Sequence, residues 1–200
     1  MAKLVSAEFR DEVFTCLQDQ LVNRGFARIR KGWLQKPFDG HFAYWLGLPT
    51  KLLDNGLVMY PQVGIHATKA MQLAYECWDS KYDRCVATYG EPLASVSALP
   101  DGVQIDLSES LPTSIEKLTN AITGPGEDFA RSVADYDVLL ERLCRIEHRL
   151  GGVPEFIACI LYVQGRVEES KERYGKFAEK QAAERCQRFL HRLSTRSSTR

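Results

Sequence analysis

The stretch Gly25-Phe26-Ala27-Arg28-Ile29-Arg30-Lys31-Gly32-Trp33-Leu34-Gln35-Lys36-Pro37-Phe38-Asp39-Gly40-His41-Phe42-Ala43-Tyr44-Trp45-Leu46-Gly47-Leu48 decides the fold class. Before it, Phe9, Val13, Leu17 and Leu21 recur every four residues, so a helix capped by Ser6 is predicted to run to about Arg24 and stop at Gly25. From Phe26 to Lys36 the period shortens. Ala27, Ile29 and Trp33 fall on one side and Arg28 and Arg30 on the other, the pattern of a strand with one wet face. Pro37-Phe38-Asp39-Gly40 supplies turn chemistry, and His41 to Leu48 then sets Phe42, Tyr44, Leu46 and Leu48 on a common face.

The pattern continues downstream. After a turn at Asp54-Asn55-Gly56, a third strand is expected from Leu57 to Ile65, with Pro61 marking an edge or a bulge. Three strands joined by short polar turns form an antiparallel meander. Thr68 is expected to cap a helix through about Asp83, with Met71, Tyr75, Trp78 and Tyr82 on its buried side. Leu93 to Leu99 and Val103 to Leu107 flank Pro100-Asp101-Gly102 as the arms of a hairpin.

Beyond residue 111 the periodicity is helical. A short helix, Pro112 to Ile122, is expected to break at Gly124-Pro125-Gly126. A longer one follows from Glu127 to Leu150, with Phe129, Val133, Tyr136, Leu140 and Leu143 inward, and Gly151-Gly152 closes it. Pro154 suits the first turn of the next segment, Phe156 to Gln164. After Gly165-Arg166 one long helix is expected to about Leu193, giving a helical hairpin and then a frayed tail. The fold class is therefore α+β: an N-terminal helix, an antiparallel meander with a packed helix, then a C-terminal helical bundle. Residues 1–110 and 111–200 are the expected units, either separate or as one continuous domain.

Composition sets outer limits. Hydrophobic residues make up 44% and charged residues 26%, the balance of a globular protein. Two hundred residues bury roughly 70% of the unfolded surface without disulfide or metal staples. Lys+Arg and Asp+Glu are equal at 26 each, which argues against a general binder of nucleic acid or membrane surfaces. No apolar run is long enough to span a bilayer, and the start of the chain turns polar at Glu8, Arg10, Asp11 and Glu12, so a cytoplasmic protein is expected. The six cysteines are widely spaced with no CxxC pair, which fits free thiols rather than a zinc ribbon.

Four groupings carry chemical interest. Cys144 and His148 stand four apart on one helix, but a metal needs further converging ligands, and no cofactor is expected. His66 lies at a strand-to-helix junction where Tyr44, Tyr60 and His41 can come near, the place to look for acid-base chemistry. Arg185, Arg188, Arg192, Arg196 and Arg200 make one face of the last helix basic, either a solvated helix end or a surface for an acidic peptide or RNA. Asp135, Tyr136 and Asp137, within an acidic stretch that includes Glu127, Asp128 and Glu141, can face a basic partner or simply be the wet side of a helix.

The Gly25-Phe26 junction, the run Arg28-Ile29-Arg30, Trp33 and the strand Phe42-Ala43-Tyr44-Trp45-Leu46-Gly47-Leu48 resemble a group of uncharacterised bacterial proteins. In these a helix ending in Gly-Phe feeds a meander, and some look like immunity proteins encoded beside secreted toxins. The likeness covers roughly the first 80 residues and leaves the helical half unexplained. It implies a protein-binding role in which the chain neutralises a cognate toxin. Arg28, Arg30, Trp33, Tyr44, Tyr60, His66, Asp135, Tyr136 and Asp137 are the candidate binding residues, and an open Arg28/Arg30 face is the foremost contact surface. The alternatives are an enzyme whose site assembles near His66, Tyr60 and His41, and an adaptor that grips a peptide or RNA through the basic C-terminal helix.

Overall fold

The computed structural model describes residues 7–106, 110–147, 153–181 and 183–196. Helix α1 spans Ala7–Val22 and buries Val13, Leu17 and Leu21. Gly25, at φ +91°, ends it in the left-handed region, where Phe26 N–H can return to the Leu21 carbonyl at 3.1 Å. Phe26 is thereby turned into the core.

Among the described residues eight strands follow, in two antiparallel sheets. The run 26–36 is a hairpin rather than the single expected strand: β1 (Ala27–Arg30) and β2 (Trp33–Pro37) reverse at Lys31-Gly32. Gly32, at φ +78°, adopts the left-handed backbone that this tight reversal needs. Next come β3 (Phe42–Gly47), the hairpin β4 (Thr50–Leu53) and β5 (Gly56–Met59), and β6 (Gln62–Ala67). The expected third strand, Leu57 to Ile65, is thus two. Pro61 lies between them, has no N–H to give a ladder, and marks where the chain leaves one sheet for the other. The larger sheet has the order β1-β2-β3-β6-β7, with β7 at Tyr89–Pro92.

The smaller sheet has the order β4-β5-β8, with β8 at Val103–Asp106. The hairpin expected between 93–99 and 103–107 does not form. Leu93–Ser95 is instead a single 3-10 turn, with Leu93 buried and the Ser97 hydroxyl donating to the Leu93 carbonyl at 2.8 Å. Ile105 finds a better partner in Leu57, directly across the ladder and equally buried. Leu107 lies outside the described residues.

Helix α2 (Thr68–Trp78) follows β6 directly. Thr68 does not cap it; Ala67 occupies that position, and the Thr68 N–H donates to the His41 carbonyl at 2.8 Å. The helix ends at Asp79 in the left-handed conformation, four residues before the expected stop, and the chain from there to Thr88 crosses back over the sheet.

The expected break at Gly124-Pro125-Gly126 is a wide turn within a continuous helical path. α3 (Leu111–Ala121) passes through a π turn at Ile122–Gly126 into α4 (Glu127–Ser132). The long helix expected from Glu127 is cut at Val133, whose side chain is buried, and Asp135 caps α5 (Tyr136–Ile146) by accepting from Asp137 N–H at 2.9 Å and Val138 N–H at 3.1 Å. α6 (Val153–Val163) and α7 (Val167–Gln181) form the expected hairpin across Gly165. α8 (Glu184–Thr195) is a separate helix rather than a continuation of α7. The Gly151-Gly152 stop and the tail beyond Arg196 fall outside the described residues.

One face of the larger sheet feeds two cores. Leu34, Tyr44, Leu46 and Val63 pack with α1, α3 and the inner face of the smaller sheet. Phe42, Ile65 and Ala67 pack with α2 and the helices α5 to α8. Both cores draw residues from before and after position 110. Tyr44 lies between them, fully buried, and its hydroxyl donates to the Ile122 carbonyl at 2.9 Å. Gly126 leaves room for that phenol, since a Cβ there would stand 2.6 Å from its oxygen.

Two substitutions test this joint. Tyr44→Phe orphans a buried carbonyl and is expected to cost about 1–3 kcal/mol in urea unfolding. Gly126→Ala forces the phenol aside and is expected to cost at least about 1 kcal/mol. In a Tyr44→Phe background that cost falls, because the clashing oxygen is gone.

Candidate binding site

The face of the larger sheet turned away from both cores carries Trp33, Gln35, Ala43, Trp45, Gly47, Gly64, His66 and Gly90, by strand alternation and register. Small residues there make room for large rings. A Cβ at Gly47 would come within 2.9 Å of both Trp33 and Trp45, whose ring centroids are 5.2 Å apart. Gly64 admits the neighbouring strand: a Cβ would sit 2.2 Å from the Tyr89 carbonyl oxygen.

The segment 79–88 lies across part of this face, held by two polar locks. Gln35 is buried; its Nε2 donates to the Arg84 carbonyl at 2.8 Å and its Oε1 accepts from Arg84 Nε at 3.0 Å. His66, only 1% exposed, meets the Val86 carbonyl through Nδ1 at 2.7 Å and the Tyr82 hydroxyl through Nε2 at 2.5 Å. A carbonyl only accepts, so Nδ1 carries the proton and Nε2 accepts from Tyr82. Burial holds this imidazole below its ordinary pKa, with Arg84 adding to the effect and the Val86 carbonyl and Asp83 opposing it. Cys85 is buried in the same segment; burial and then the Asp83 carboxylate push its thiol up to about 11.

At the β1–β2 end the surface is open. Arg28 and Arg30 are exposed on the edge strand β1 but do not share a face as alternation predicts. A bulge between them sets Arg28 opposite Leu34 and Arg30 opposite Trp33, and the Arg30 guanidinium stacks on the partly exposed Trp33 ring, 5.3 Å from its centroid. Beside Trp33 lies a cleft of about 280 Å³ between α1, the Lys31-Gly32 turn and the segment after β3, lined by Arg10, Phe14, Lys31, Trp33, Leu48 and Pro49 among others. Its floor is fixed by Leu48 N–H donating to the Gly32 carbonyl at 2.8 Å. Two cations there share one acid: Lys31 Nζ bonds Asp11, and Arg10 Nε stands 3.5 Å from the same oxygen. The two cations hold the Asp11 carboxyl below its usual range, Lys31 first.

The candidate residues named from sequence are scattered by the fold. Tyr44 and His66 are withdrawn as contact residues, because both are buried with their polar groups engaged inside the molecule. Tyr60 is 37% exposed beside Gly102, at the joint between the sheets. His41 is exposed and meets the Tyr136 ring edge-on at 6.0 Å. The trio His66, Tyr60 and His41 does not converge, since Tyr60 precedes β6 while His66 lies near its other end. Tyr136 packs on Phe42 at 4.7 Å, burial and then the Asp39 charge push its hydroxyl up to about 12, and Asp137 accepts from Gln164 Nε2 at 2.9 Å. Asp135 is spent on its helix cap. This cluster sits at the Phe42 end of β3 and the Arg30–Trp33 patch at the Gly47 end, so they form separate surfaces.

Further groupings resolve similarly. Three arginines of α8 meet acids: Arg192 pairs with Asp79 at 2.9 Å, Arg196 with Glu76, and Arg188 reaches Glu184 at 3.8 Å. Arg200 and His148 lie outside the described residues; Cys144 accepts from Arg173 Nη2 at 3.1 Å. All six cysteines are free. Among the described residues no three His, Cys, Asp or Glu side chains converge as a metal ion requires, and no helix is long and apolar enough to cross a membrane. Sequence reading missed Arg10 and Phe14 as neighbours of Trp33, because they come to it only through the α1 packing. No family model, curated protein or solved structure matches the chain.

The buried imidazole sets a pH dependence. The folded-state pKa of His66 lies below the unfolded value near 6.5, so the unfolded chain takes up the proton first. The stability His66 contributes is complete above that value and is lost as pH falls towards the folded one. Wild-type unfolding free energy should therefore drop between about pH 7 and pH 5, with this residue adding at most about 1.4 kcal/mol per pH unit. Urea titrations at several pH values should show a shallower slope in His66→Gln.

Proposed function

We propose that this chain is a protein-binding module of the immunity type, which docks on a toxic protein through the β1–β2 end of its larger sheet and blocks it. The observation that carries the reading is the Arg30–Trp33 stack on the outer face of that hairpin, its guanidinium exposed and its indole partly so. Trp and Arg are the residue types that dominate binding energy at protein interfaces, and here they are held rigid. Trp33 is braced from behind by Trp45, and the Lys31-Gly32 turn fixes the strand register.

The charge of the patch selects the partner's surface. Arg30 has Asp83 near enough to feel its charge but forms no ion pair among the described residues, so a complementary face is acidic. The partner meets a preformed surface and little rearrangement accompanies binding. The resemblance in the first 80 residues to proteins encoded beside toxins points the same way.

The test is neutralisation. The full-length tagged chain, recovered from its native cells at low salt, should bring a stoichiometric partner that is toxic when expressed alone and harmless when co-expressed with it. Trp33→Ala should weaken that complex at least about tenfold and Arg30→Glu more, measured by calorimetry, while the fold is retained by circular dichroism. Unchanged affinity in both variants, or a partner without toxicity, sinks the reading.

A further inference from the structure

Adjoining the Arg30–Trp33 patch, the cleft between α1 and the Lys31-Gly32 turn has an unusual balance. Its lining joins two cations, Arg10 and Lys31, to apolar Phe14, Trp33, Leu48 and Pro49, with Lys31 Nζ over the Phe14 ring at 5.8 Å. The two cations have a single carboxylate, Asp11, between them, and all three are partly exposed. Arg10 Nε is enclosed and stands 3.5 Å from the shared Asp11 oxygen, while the Arg10 and Lys31 side chains keep 36% and 50% of their surface exposed. Two cations on one carboxylate leave a net positive charge at the cleft, which an incoming carboxylate offsets.

We infer that this cleft receives an acidic segment of the protein partner, a carboxylate side chain next to an aromatic or aliphatic one. The carboxylate bridges Arg10 and Lys31, and its apolar neighbour lies against Trp33, Leu48 and Pro49. Resting on the docking reading above, this names the chemistry of the partner's anchor. A second copy of this chain is a poor occupant, because its own β1–β2 end would bring Arg28, Arg30 and Lys31 against the same positive surface. A phosphate alone would leave the apolar lining unfilled.

The experiment uses N-acetyl-Phe-Glu as the probe and N-acetyl-Phe-Gln as its uncharged twin, each titrated into the 15N-labelled full-length chain. The acidic probe should shift the Gly32 amide and the Trp33 indole N–H in a saturable, salt-sensitive way. The glutamine twin, and the acidic probe on Arg10→Met, should bind at least about tenfold more weakly. Equal binding of both probes, no saturable shift at these residues, or an unchanged Arg10→Met response overturns the inference. If Arg30→Glu abolishes capture of the toxic partner and Arg10→Met does not, the docking reading stands and the cleft assignment falls. If the probe binds as described and no toxic partner exists, the reverse holds.

Discussion

The hydrogen bond from the Tyr44 hydroxyl to the Ile122 carbonyl is the contact on which the rest of the arrangement depends. Tyr44 projects from the central pair of the larger sheet into the seam between the two cores. The π turn it meets has a widened backbone, so a carbonyl is freed from regular helical pairing and needs an outside donor. The phenol supplies one where water cannot reach. Burial and then the nearby Glu127 charge hold that phenol well above its usual pKa, so it stays a donor. Glu127 is itself fixed by Lys36 at 2.8 Å and Arg131 at 2.6 Å, and these two cations keep it ionised in spite of its burial.

That joint explains how a sheet of five strands serves two helical groups at once. With α3 and α4 running through one wide turn, α3 reaches back to α1 while α4 stays on β3 and β6. The sheet's inner face is then fully occupied, and its outer face is left to rings, glycines and one crossing segment. Gln35 and His66 tie that segment down with groups whose burial would be costly unpaired. The β1–β2 end lies beyond its cover. A cation-stacked, half-buried tryptophan there differs from the scattered single exposed residues Val22, Leu52 and Tyr60.

The local signals in the sequence were strong where a single chemical demand decided the outcome. Gly25 ended α1 because φ +91° suits glycine, and Asp39 closed the next turn by accepting from His41 N–H at 2.6 Å. They were weaker wherever two local readings were equally good. Alternation alone could not separate one strand of eleven residues from a two-strand hairpin at Gly32, and Pro61 looked the same as a bulge or as a change of sheet. Of the candidate contact residues, Arg28, Arg30 and Trp33 could be brought near one another from the sequence because they sit on one short strand pair. Arg10 and Phe14 could not, since nothing local ties a residue in α1 to Trp33.

The sequence by itself determined the α+β class, the strand β3, the helical second half and the αL stops at Gly25 and Gly165, because each follows from local backbone energetics and apolar period. Tertiary structure alone decided that β8 pairs with β5, that 79–88 crosses the sheet, and that Tyr44 and His66 are sealed while Trp33 stays open. Those outcomes depend on which buried surfaces meet across long separations. Ile105 opposite Leu57, and Tyr44 under Ile122, are contacts whose value no neighbouring residue encodes.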